Sequence, residues 1–289
     1  MDDDSGHIER LIGRRPHSLQ PVAGGDIARS LCATFADGSR VMVKCARPGQ
    51  PSLRIEARML ADLDAAGLPV PRVLGGDDTL LALEWVDCAP GSLSAAAQRT
   101  AGREIARLHA TPQPHDAAPF GYGYDTVIGS LHQPNPPTAR WLDFFRDHRL
   151  LCRADAALAA GRLPVALRHR IDRLAARLPA WIDDDPTASS LVHGDLWGGN
   201  MLGLASGGAV FIDPAIYRGH GEVDLAMATL FSSVGDAFFE GYAEVRAIAP
   251  GFFEGRRDLY NLYPLLVHVQ LFGGGYVRRV ANALGGMGC

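Results

Sequence analysis

The chain has 289 residues, of which 47% are hydrophobic and 21% charged, and its formal net charge is −4. This composition is typical of a globular protein that is large enough for two lobes or two modest domains. The negative balance argues against recognition by bulk positive charge, so we expect neither a nucleic-acid partner nor an anionic membrane surface. No run of about 18 apolar residues occurs, so we also expect no membrane span.

The cysteines and the amino end bear on location. The five cysteines form no CxxC pair and show no zinc-like spacing with histidine, and their odd number favours reduced thiols. The first ten residues, MDDDSGHIER, are acidic and polar, unlike a secretory signal. We therefore expect a cytoplasmic protein.

The first third of the chain predicts a small unit of strands and helices. Apolar and polar residues alternate on both sides of Asp37-Gly38, a pair that favours a two-residue hairpin turn. Apolar residues then recur at helical spacing until Gly67, which predicts a helix that ends there. In chain order we predict a short polar helix in 1–20, a β-hairpin in 24–46, a helix in 52–67 and two short strands in 70–87.

From Ala95 onwards the pattern is mostly helical. Amphipathic runs predict helices over 137–161 and 165–182. Residues 111–137 are rich in Pro and Gly and predict an irregular loop. We therefore expect an α+β lobe over residues 1–87 and a larger, mostly helical lobe over residues 88–289.

The stretch LVHGDLWGGN, residues 191–200, concentrates polar side chains between apolar flanks. Buried polar side chains cost free energy unless they have partners, so this segment indicates a functional site. A second apolar segment, 210–212, reads as a buried strand that delivers Asp213 at its end. A turn between the two segments would bring Asp195, Asn200 and Asp213 onto one rim.

Phosphoryl transfer from ATP needs such a rim. One carboxylate orients the attacking hydroxyl and accepts its proton, while a second carboxylate and an amide oxygen hold Mg²⁺. A strand lysine, paired with a glutamate from the next helix, steadies the phosphates. Lys44 and Glu56 stand at those two places, and the spacing HxDxxxxN followed by a later Asp matches the kinase template. We therefore expect ATP and Mg²⁺ as cofactors.

The residues HGDLWGGN, together with IDPAIYRGHGEVDLAMATLF, resemble the fructosamine kinase (ketosamine-3-kinase) family. The resemblance extends from Gly24 to about Tyr276 and includes FGYGYDTVIGSLHQPNPPTARWLDFFRDHRL. It implies a two-lobed, protein-kinase-like fold of the type found in aminoglycoside phosphotransferases. It also implies ATP-dependent phosphorylation of the 3-hydroxyl of a ketosamine, which is a fructosamine or ribulosamine adduct of an amine or of lysine.

The resemblance further implies a role for each residue of the kinase template. Asp195 would be the catalytic base. Asn200 and Asp213 would bind magnesium. Lys44 would contact the phosphates, and Glu56 would fix the position of Lys44.

The resemblance also places the nucleotide. The linker LALEWVD would offer backbone groups of Glu84 and Val86 to adenine. Neither a GxGxxG loop nor a Walker lysine loop is present, so backbone N–H groups around Gly24 and Gly25 would grip the phosphates. Asp26 stands where many relatives have a cysteine, so we expect no thiol switch there and a side chain that points away from the phosphates.

Trp197, Tyr217 and His268 are candidates for the pocket that takes the sugar and the amine. An aromatic face attracts a protonated amine, while packing in the core is the alternative for these residues. We expect His193 to bond backbone groups around the catalytic loop. Asp224 is expected either to cap a helix or to bond that loop from a buried position.

Two other functions stay open at this point. A kinase of another amino sugar, of the aminoglycoside phosphotransferase type, would act on polycations and would need several acidic residues near the chain end. Here the end, LVHVQLFGGGYVRRVANALGGMGC, holds two arginines and no acid. A non-catalytic pseudokinase usually lacks a catalytic or metal-binding residue, and this chain keeps the whole set. The pattern also leaves open whether the acceptor is a free glycated amine or a glycated lysine in a protein.

Overall fold

The computed structural model describes residues 2–22, 28–89, 91–112, 118–185, 188–205, 207–231 and 234–289. Within these ranges the N-terminal part forms an antiparallel sheet. Its strands are β1 (Ser18–Pro21), β2 (Arg29–Thr34), β3 (Arg40–Cys45), β4 (Val73–Gly76) and β5 (Leu80–Glu84). They lie side by side in the order β1-β2-β3-β5-β4.

Two helices, α1 (Asp2–Ile12) and α2 (Leu53–Ala65), cover the opposite faces of this sheet. Successive side chains of a strand point to opposite faces, and β5 shows this directly. Leu80 packs in the cluster that contains Ile8 of α1. Leu81 and Leu83 pack with Leu60 of α2. The sheet is therefore buried on both sides, which explains why β5 is apolar at consecutive positions.

The hairpin between β2 and β3 differs from the predicted two-residue turn. The Phe35 and Gly38 N–H groups donate to Ser39 and Phe35 carbonyls respectively, so the loop has three residues. Gly38 has φ of +80°, the left-handed conformation that such a loop requires. The Asp37 carboxylate also accepts from the Ser39 N–H at 3.0 Å. This side-chain bond accommodates the extra residue.

The helix α2 begins and ends where the sequence predicts. The Ser52 hydroxyl accepts from the Arg54 N–H at 3.2 Å and caps the first turn. After the last turn, Gly67 has φ of +84°, which a glycine adopts without strain. The ends of α2 are thus set by its own sequence, and this fixes the position of Glu56 along the helix.

The remainder of the described chain is mostly helical. Its helices are α3 (Ala95–His109), α4 (Trp141–Phe145), α5 (Cys152–Ala159), α6 (Val165–Ala175), α7 (Glu222–Thr229), α8 (Asp236–Ala243), α9 (Arg257–Phe272) and α10 (Gly275–Gly286). Short antiparallel pairs join β6 (Thr126–Ile128) to β7 (Leu131–Gln133), β8 (Ser189–Val192) to β11 (Tyr217–His220), and β9 (Met201–Gly203) to β10 (Ala209–Phe211). Among the described residues, every helix is too short or too polar to traverse a lipid bilayer.

The predicted long helix over 137–161 is interrupted by a wider turn. Between α4 and α5 the chain is π-helical over Arg146–Leu151. This stretch carries Arg149, whose side chain is 0% exposed and donates to the Pro134 carbonyl at 2.9 Å. We attribute the interruption to this buried guanidinium, since π-turns redirect side chains that a regular helix would place elsewhere.

Two further predictions differ in extent. The predicted helix over 165–182 stops at Ala175, and a short 3₁₀ turn with Pro179 follows, because proline cannot continue an α-helix. The predicted irregular loop over 111–137 contains the hairpin of β6 and β7. Strand β6 of this hairpin lies beside α2.

Candidate active site

The backbone of the catalytic loop, defined as residues 193–200, is hydrogen-bonded by a buried carboxylate. Asp224, which is 0% exposed, accepts from the backbone N–H groups of His193 at 2.7 Å and Gly194 at 2.8 Å. His109 contributes a third bond through Nε2 at 3.1 Å. Gly194 has φ of +81° and its α-carbon faces the Ala215 carbonyl so closely that a Cβ would lie 2.0 Å from it. The predicted buried bond from Asp224 to this loop is confirmed.

His193 fastens the same loop to the neighbouring segment. Its Nε2 donates to the Ile212 carbonyl at 3.1 Å, and its Nδ1 accepts from the Asp195 N–H at 3.3 Å. Burial lowers the pKa of His193, which favours the neutral ring that these two bonds require. The ring therefore bonds backbone around the loop, as predicted.

Asp195 and Asn200 lie side by side. The Asn200 Nδ2 donates both to the Asp195 carbonyl and to its Oδ2, each at 2.9 Å. Burial and the charge of Asp213 raise the pKa of Asp195 to about 7, although the bond from Asn200 acts in the opposite direction. Because the Asn200 amide nitrogen faces Asp195, the amide oxygen of Asn200 is left to accept a hydrogen bond or to bind a cation.

Asp213 reaches the same region from a strained backbone. It follows β10 and has φ of 54°, the one non-glycine residue with positive φ in the described chain. Strain of this kind costs about 1–3 kcal/mol and often occurs at functional sites. The adjacent Ile212 N–H donates to the Asn200 carbonyl at 3.0 Å, which ties the two predicted metal-binding residues together.

Lys44 of β3 connects the sheet to α2 and to Asp213. Its Nζ lies 2.5 Å from Oε1 of Glu56 in α2, and it also bonds Oδ1 of Asp213. Burial alone would lower the pKa of Lys44, but the two carboxylates raise it, so the ammonium stays charged. The structure thus brings Lys44, Glu56 and Asp213 into one contact and places Asp195 beside Asn200.

Few side chains near Asp213 can act as metal ligands, and this bears on which metal ion the site can hold. In the described residues, no group of three or more His, Cys, Asp and Glu side chains is arranged to hold a metal ion. Asp213 and Asn200 together offer one carboxylate and one amide oxygen. Mg²⁺ usually takes one or two protein carboxylates and completes its shell with phosphate oxygens and water. The residues present therefore fit Mg²⁺ delivered with a nucleotide better than a metal caged by protein alone.

Of the backbone groups predicted to contact adenine and the phosphates, only those of the linker lie within the described ranges. Glu84 is exposed at the end of β5, and its N–H donates to the Arg72 carbonyl at 2.9 Å. The Val86 carbonyl accepts from the Cys88 thiol at 3.4 Å. Gly24, Gly25 and Asp26 lie outside the described residues, so their predicted contacts stay predictions. A cavity of about 540 Å³ lies between the segment that follows this linker and residues 198–203.

The three predicted acceptor residues separate into two groups. Trp197 is half-buried and meets Phe231 edge-on, with ring centroids 5.3 Å apart. Phe231 lies 5.2 Å from the ring of His268, so a continuous aromatic surface joins Trp197 to His268.

Tyr217 does not belong to that surface. It is 1% exposed, and the Arg149 guanidinium lies 3.9 Å from its ring centroid. The predicted substrate contact by Tyr217 does not fit this position, because β11 pairs with β8 and turns the ring into the core. For Tyr217 the alternative of core packing is the one observed.

One contact that the sequence does not predict holds α2 to the helical part. The hydroxyls of Tyr122 and Tyr124 both donate to Oδ2 of Asp62, at 3.0 and 2.6 Å. The Arg58 guanidinium covers the Tyr124 ring at 3.6 Å. The signal in the sequence is the pair of tyrosines in GYGYD, but neither the spacing nor the composition indicates their partner. Since α2 also carries Glu56, this contact bears on the position of the Lys44 pair.

Comparison with known proteins gives a consistent result. The sequence profile of the fructosamine kinase family matches residues 4–287. A Synechocystis sp. protein named "Probable ketoamine kinase" is 36% identical over 280 residues, covering 93% of this chain and 90% of its own. "Protein-ribulosamine 3-kinase, chloroplastic" from Oryza sativa subsp. indica is 32% identical over 267 residues, which are 89% of this chain and 75% of that protein. A crystal structure assigned as a fructosamine-3-kinase from Thermobifida fusca has a TM-score of 0.87 and 32% identity, and covers 99% of this chain and 98% of its own.

Proposed function

The chain belongs to the fructosamine kinase family, and on that premise we propose that it phosphorylates the 3-hydroxyl of a ketosamine with Asp195 as the catalytic base. It is an ATP-dependent kinase with a protein-kinase-like fold, and its substrate is a small-molecule ketosamine. Lobes of residues 1–87 and 88–289, and a cytoplasmic location, stay predictions.

The observation that supports the proposal most is the position of the Lys44 ammonium, between Glu56 of α2 and Asp213 beyond β10. In kinases a strand lysine fixed by a helix glutamate binds the phosphates of ATP beside an aspartate that holds the metal. Lys44 also joins the sheet to Asp213, whose neighbour Ile212 bonds Asn200 of the catalytic loop, so the proposed nucleotide and acceptor positions lie in one region.

The proposed phosphoryl transfer uses Asp195 as the proton acceptor and Asn200 as its hydrogen-bond partner. Asp195 orients the 3-hydroxyl and receives its proton on a carboxylate oxygen. The hydroxyl oxygen then bonds to the γ-phosphorus, while the bond from that phosphorus to the bridging oxygen breaks and ADP leaves. Asn200, which donates to Oδ2 of Asp195, would keep the carboxylate oriented during the transfer.

The remaining proposed roles concern charge and nucleotide position. Mg²⁺ held by Asn200 and Asp213 would supply neutralisation of the charge on the phosphates. Glu84 and Val86 would meet adenine through their backbone groups, and the glycines at 24 and 25 would meet the phosphates.

The test is an acceptor panel with Mg²⁺ and ATP. Ribuloselysine, fructoselysine and kanamycin are incubated with the wild-type protein, and mass spectrometry with ³¹P NMR locates the phosphoryl group. We expect transfer to the 3-hydroxyl of a ketosamine and none to kanamycin. Faster transfer to kanamycin would favour an amino-sugar kinase, and ATP binding without transfer to any ketosamine would favour a pseudokinase.

A variant tests the role of Asp195 separately. Removal of a general base typically lowers rates by ~10²–10⁴, so we expect Asp195→Asn to lose at least that much turnover while ATP still raises its melting temperature. Asp236→Asn, at an exposed acid of α8, is the matched control. Unchanged turnover in Asp195→Asn would refute the assignment of the base.

A further inference from the structure

An aromatic wall extends from the catalytic loop to the start of α10. We define it as Trp197, Phe231, His268 and Tyr276. Neighbouring ring centroids along it are 5.3, 5.2 and 4.8 Å apart. Because Trp197 is two residues from Asp195, this wall begins in the loop that carries the proposed base.

A guanidinium lies next to two rings of this wall. The Arg279 Cζ lies 5.6 Å from the ring centroid of Phe231 and 6.0 Å from that of Tyr276. Its Nη2 donates to the Leu230 carbonyl at 2.6 Å. These contacts fix the group, and Phe231 is thus a neighbour of both Arg279 and Trp197.

The charge of Arg279 has no partner of opposite sign on the chain segments that build the wall. The segments 196–212, 225–235 and 259–289 contain no Asp or Glu. Within the described ranges, the one hydrogen bond of Arg279 goes to a neutral carbonyl. Arginine has five N–H donors and remains protonated, so within the part of the chain that the structure describes most of its donors and its charge have no partner.

His268 does not supply a second positive charge. Its Nδ1 bonds the Pro264 carbonyl at 2.7 Å, and because a carbonyl only accepts, Nδ1 carries the proton of the ring. Burial and the neighbouring Arg279 charge lower the pKa of His268. The wall thus offers one fixed cation, one neutral imidazole and aromatic faces.

We propose that Arg279 binds a carboxylate at the amine end of the ketosamine, so that the acceptor is a glycated free amino acid. The proposal rests on the proposed function and narrows its substrate class. Guanidinium groups pair with carboxylates through two parallel hydrogen bonds, while the protonated amine of the adduct can lie against the aromatic faces. An adduct on the lysine side-chain amine places its carboxylate roughly 10 Å from the sugar. This length is comparable with the two steps along the wall, 5.3 Å from Trp197 to Phe231 and 5.6 Å from Phe231 to the Arg279 Cζ.

The test compares adducts that carry a carboxylate with adducts that lack one. Ribulose adducts are prepared on the side-chain amine of lysine, on that of N-acetyl-lysine amide, and on butylamine. KM and kcat are measured for the wild type, Arg279→Gln and Arg278→Gln. Arg278 is the exposed neighbour of Arg279 in α10 and is the matched control.

We expect the wild type to prefer the free lysine adduct. Loss of a charge-assisted pair should raise its KM about tenfold more than that of the butylamine adduct in Arg279→Gln, with kcat changed much less. Arg278→Gln should keep the wild-type preference. A preference for N-acetyl-lysine amide equal to that for lysine, or an equal rise of KM for all adducts in Arg279→Gln, would show that Arg279 only fastens Leu230, and would overturn the proposal. If the wild type phosphorylates none of the adducts, the proposed function fails instead.

Discussion

Replacement of Asp224 by asparagine tests whether the catalytic loop depends on one buried carboxylate. In the wild type the two oxygens accept from the N–H groups of His193 and Gly194 at 2.7 and 2.8 Å and from His109 Nε2 at 3.1 Å. An amide has the same shape but only one accepting oxygen. Its NH₂ group would face a donor, because each of the three partners presents a proton.

The expected loss follows from these bonds. Loss of a hydrogen bond to a charged group costs about 1.5–3 kcal/mol, and a buried donor left without a partner costs about 1–3 kcal/mol more. We therefore expect Asp224→Asn to lower the free energy of unfolding by about 3–5 kcal/mol. Displacement of the loop that carries Asp195 by about 1 Å would also lower kcat by about 10²-fold.

Urea unfolding followed by circular dichroism measures the first quantity, and steady-state phosphorylation of a ketosamine measures the second. Asp236→Asn, which changes an exposed acid in the first turn of α8, should cost less than about 1 kcal/mol. A loss below about 1 kcal/mol in Asp224→Asn would mean that the loop rearranges around the amide. In that case the argument for a rigid, externally held catalytic loop would be wrong.

Two further perturbations test contacts away from the catalytic loop. Asp62→Ala removes the acceptor that both tyrosine hydroxyls share, so we expect the free energy of unfolding in urea to fall by about 2 kcal/mol and kcat to fall as well, because α2 carries Glu56. Asp64→Ala, at an exposed position of α2, is the control and should change neither quantity. An unchanged kcat in Asp62→Ala would exclude a positioning role for Asp62. The pKa of Asp77 is about 2, because bonds from the Thr79 and Leu80 N–H groups and from His7 outweigh the effect of burial, which raises it. Because this folded-state pKa lies below the unfolded value, the Asp77 carboxylate stabilises the fold above about pH 4. This contribution, about 1 kcal/mol after screening, is lost as the pH falls towards 2. Urea titrations at pH 6 and pH 3 should therefore show a smaller change in the free energy of unfolding between the two pH values for Asp77→Asn than for the wild type.

Local sequence signals predict the elements that carry the site. Ser52 and Gly67 define α2 and so the position of Glu56, and the alternation around Lys44 defines β3. The spacing from Asp195 to Asn200 fits a single tight loop, which Asn200 closes by bonding Asp195. These features are predictable because each depends on neighbours within a few residues along the chain.

Long-range contacts are the part that the sequence does not predict. From the sequence, Tyr217 is a candidate for the acceptor pocket with core packing as the alternative, and the pairing of β11 with β8 turns it into the core. The bond from Tyr124 to Asp62 joins residues that are 62 positions apart, and no local pattern indicates it. The interruption at Arg149 likewise depends on carbonyls in another segment. In each case the deciding partner is distant in sequence, so neither composition nor periodicity records it.

Arg149 and Arg279 both lack a carboxylate partner in the described chain, but their surroundings give the two guanidinium groups different roles. Arg149 is 0% exposed, donates to the Pro134 and His148 carbonyls and to Oδ1 of Asn135, and lies between aromatic rings. The small cavity beside Tyr217 measures about 10 Å³, too little for anything larger than a water molecule. Arg149 is therefore a structural cation that binds its own chain.

Arg279 bonds a single carbonyl and is only half-buried beside the aromatic wall. Its charge is therefore left for the ligand that the wall receives.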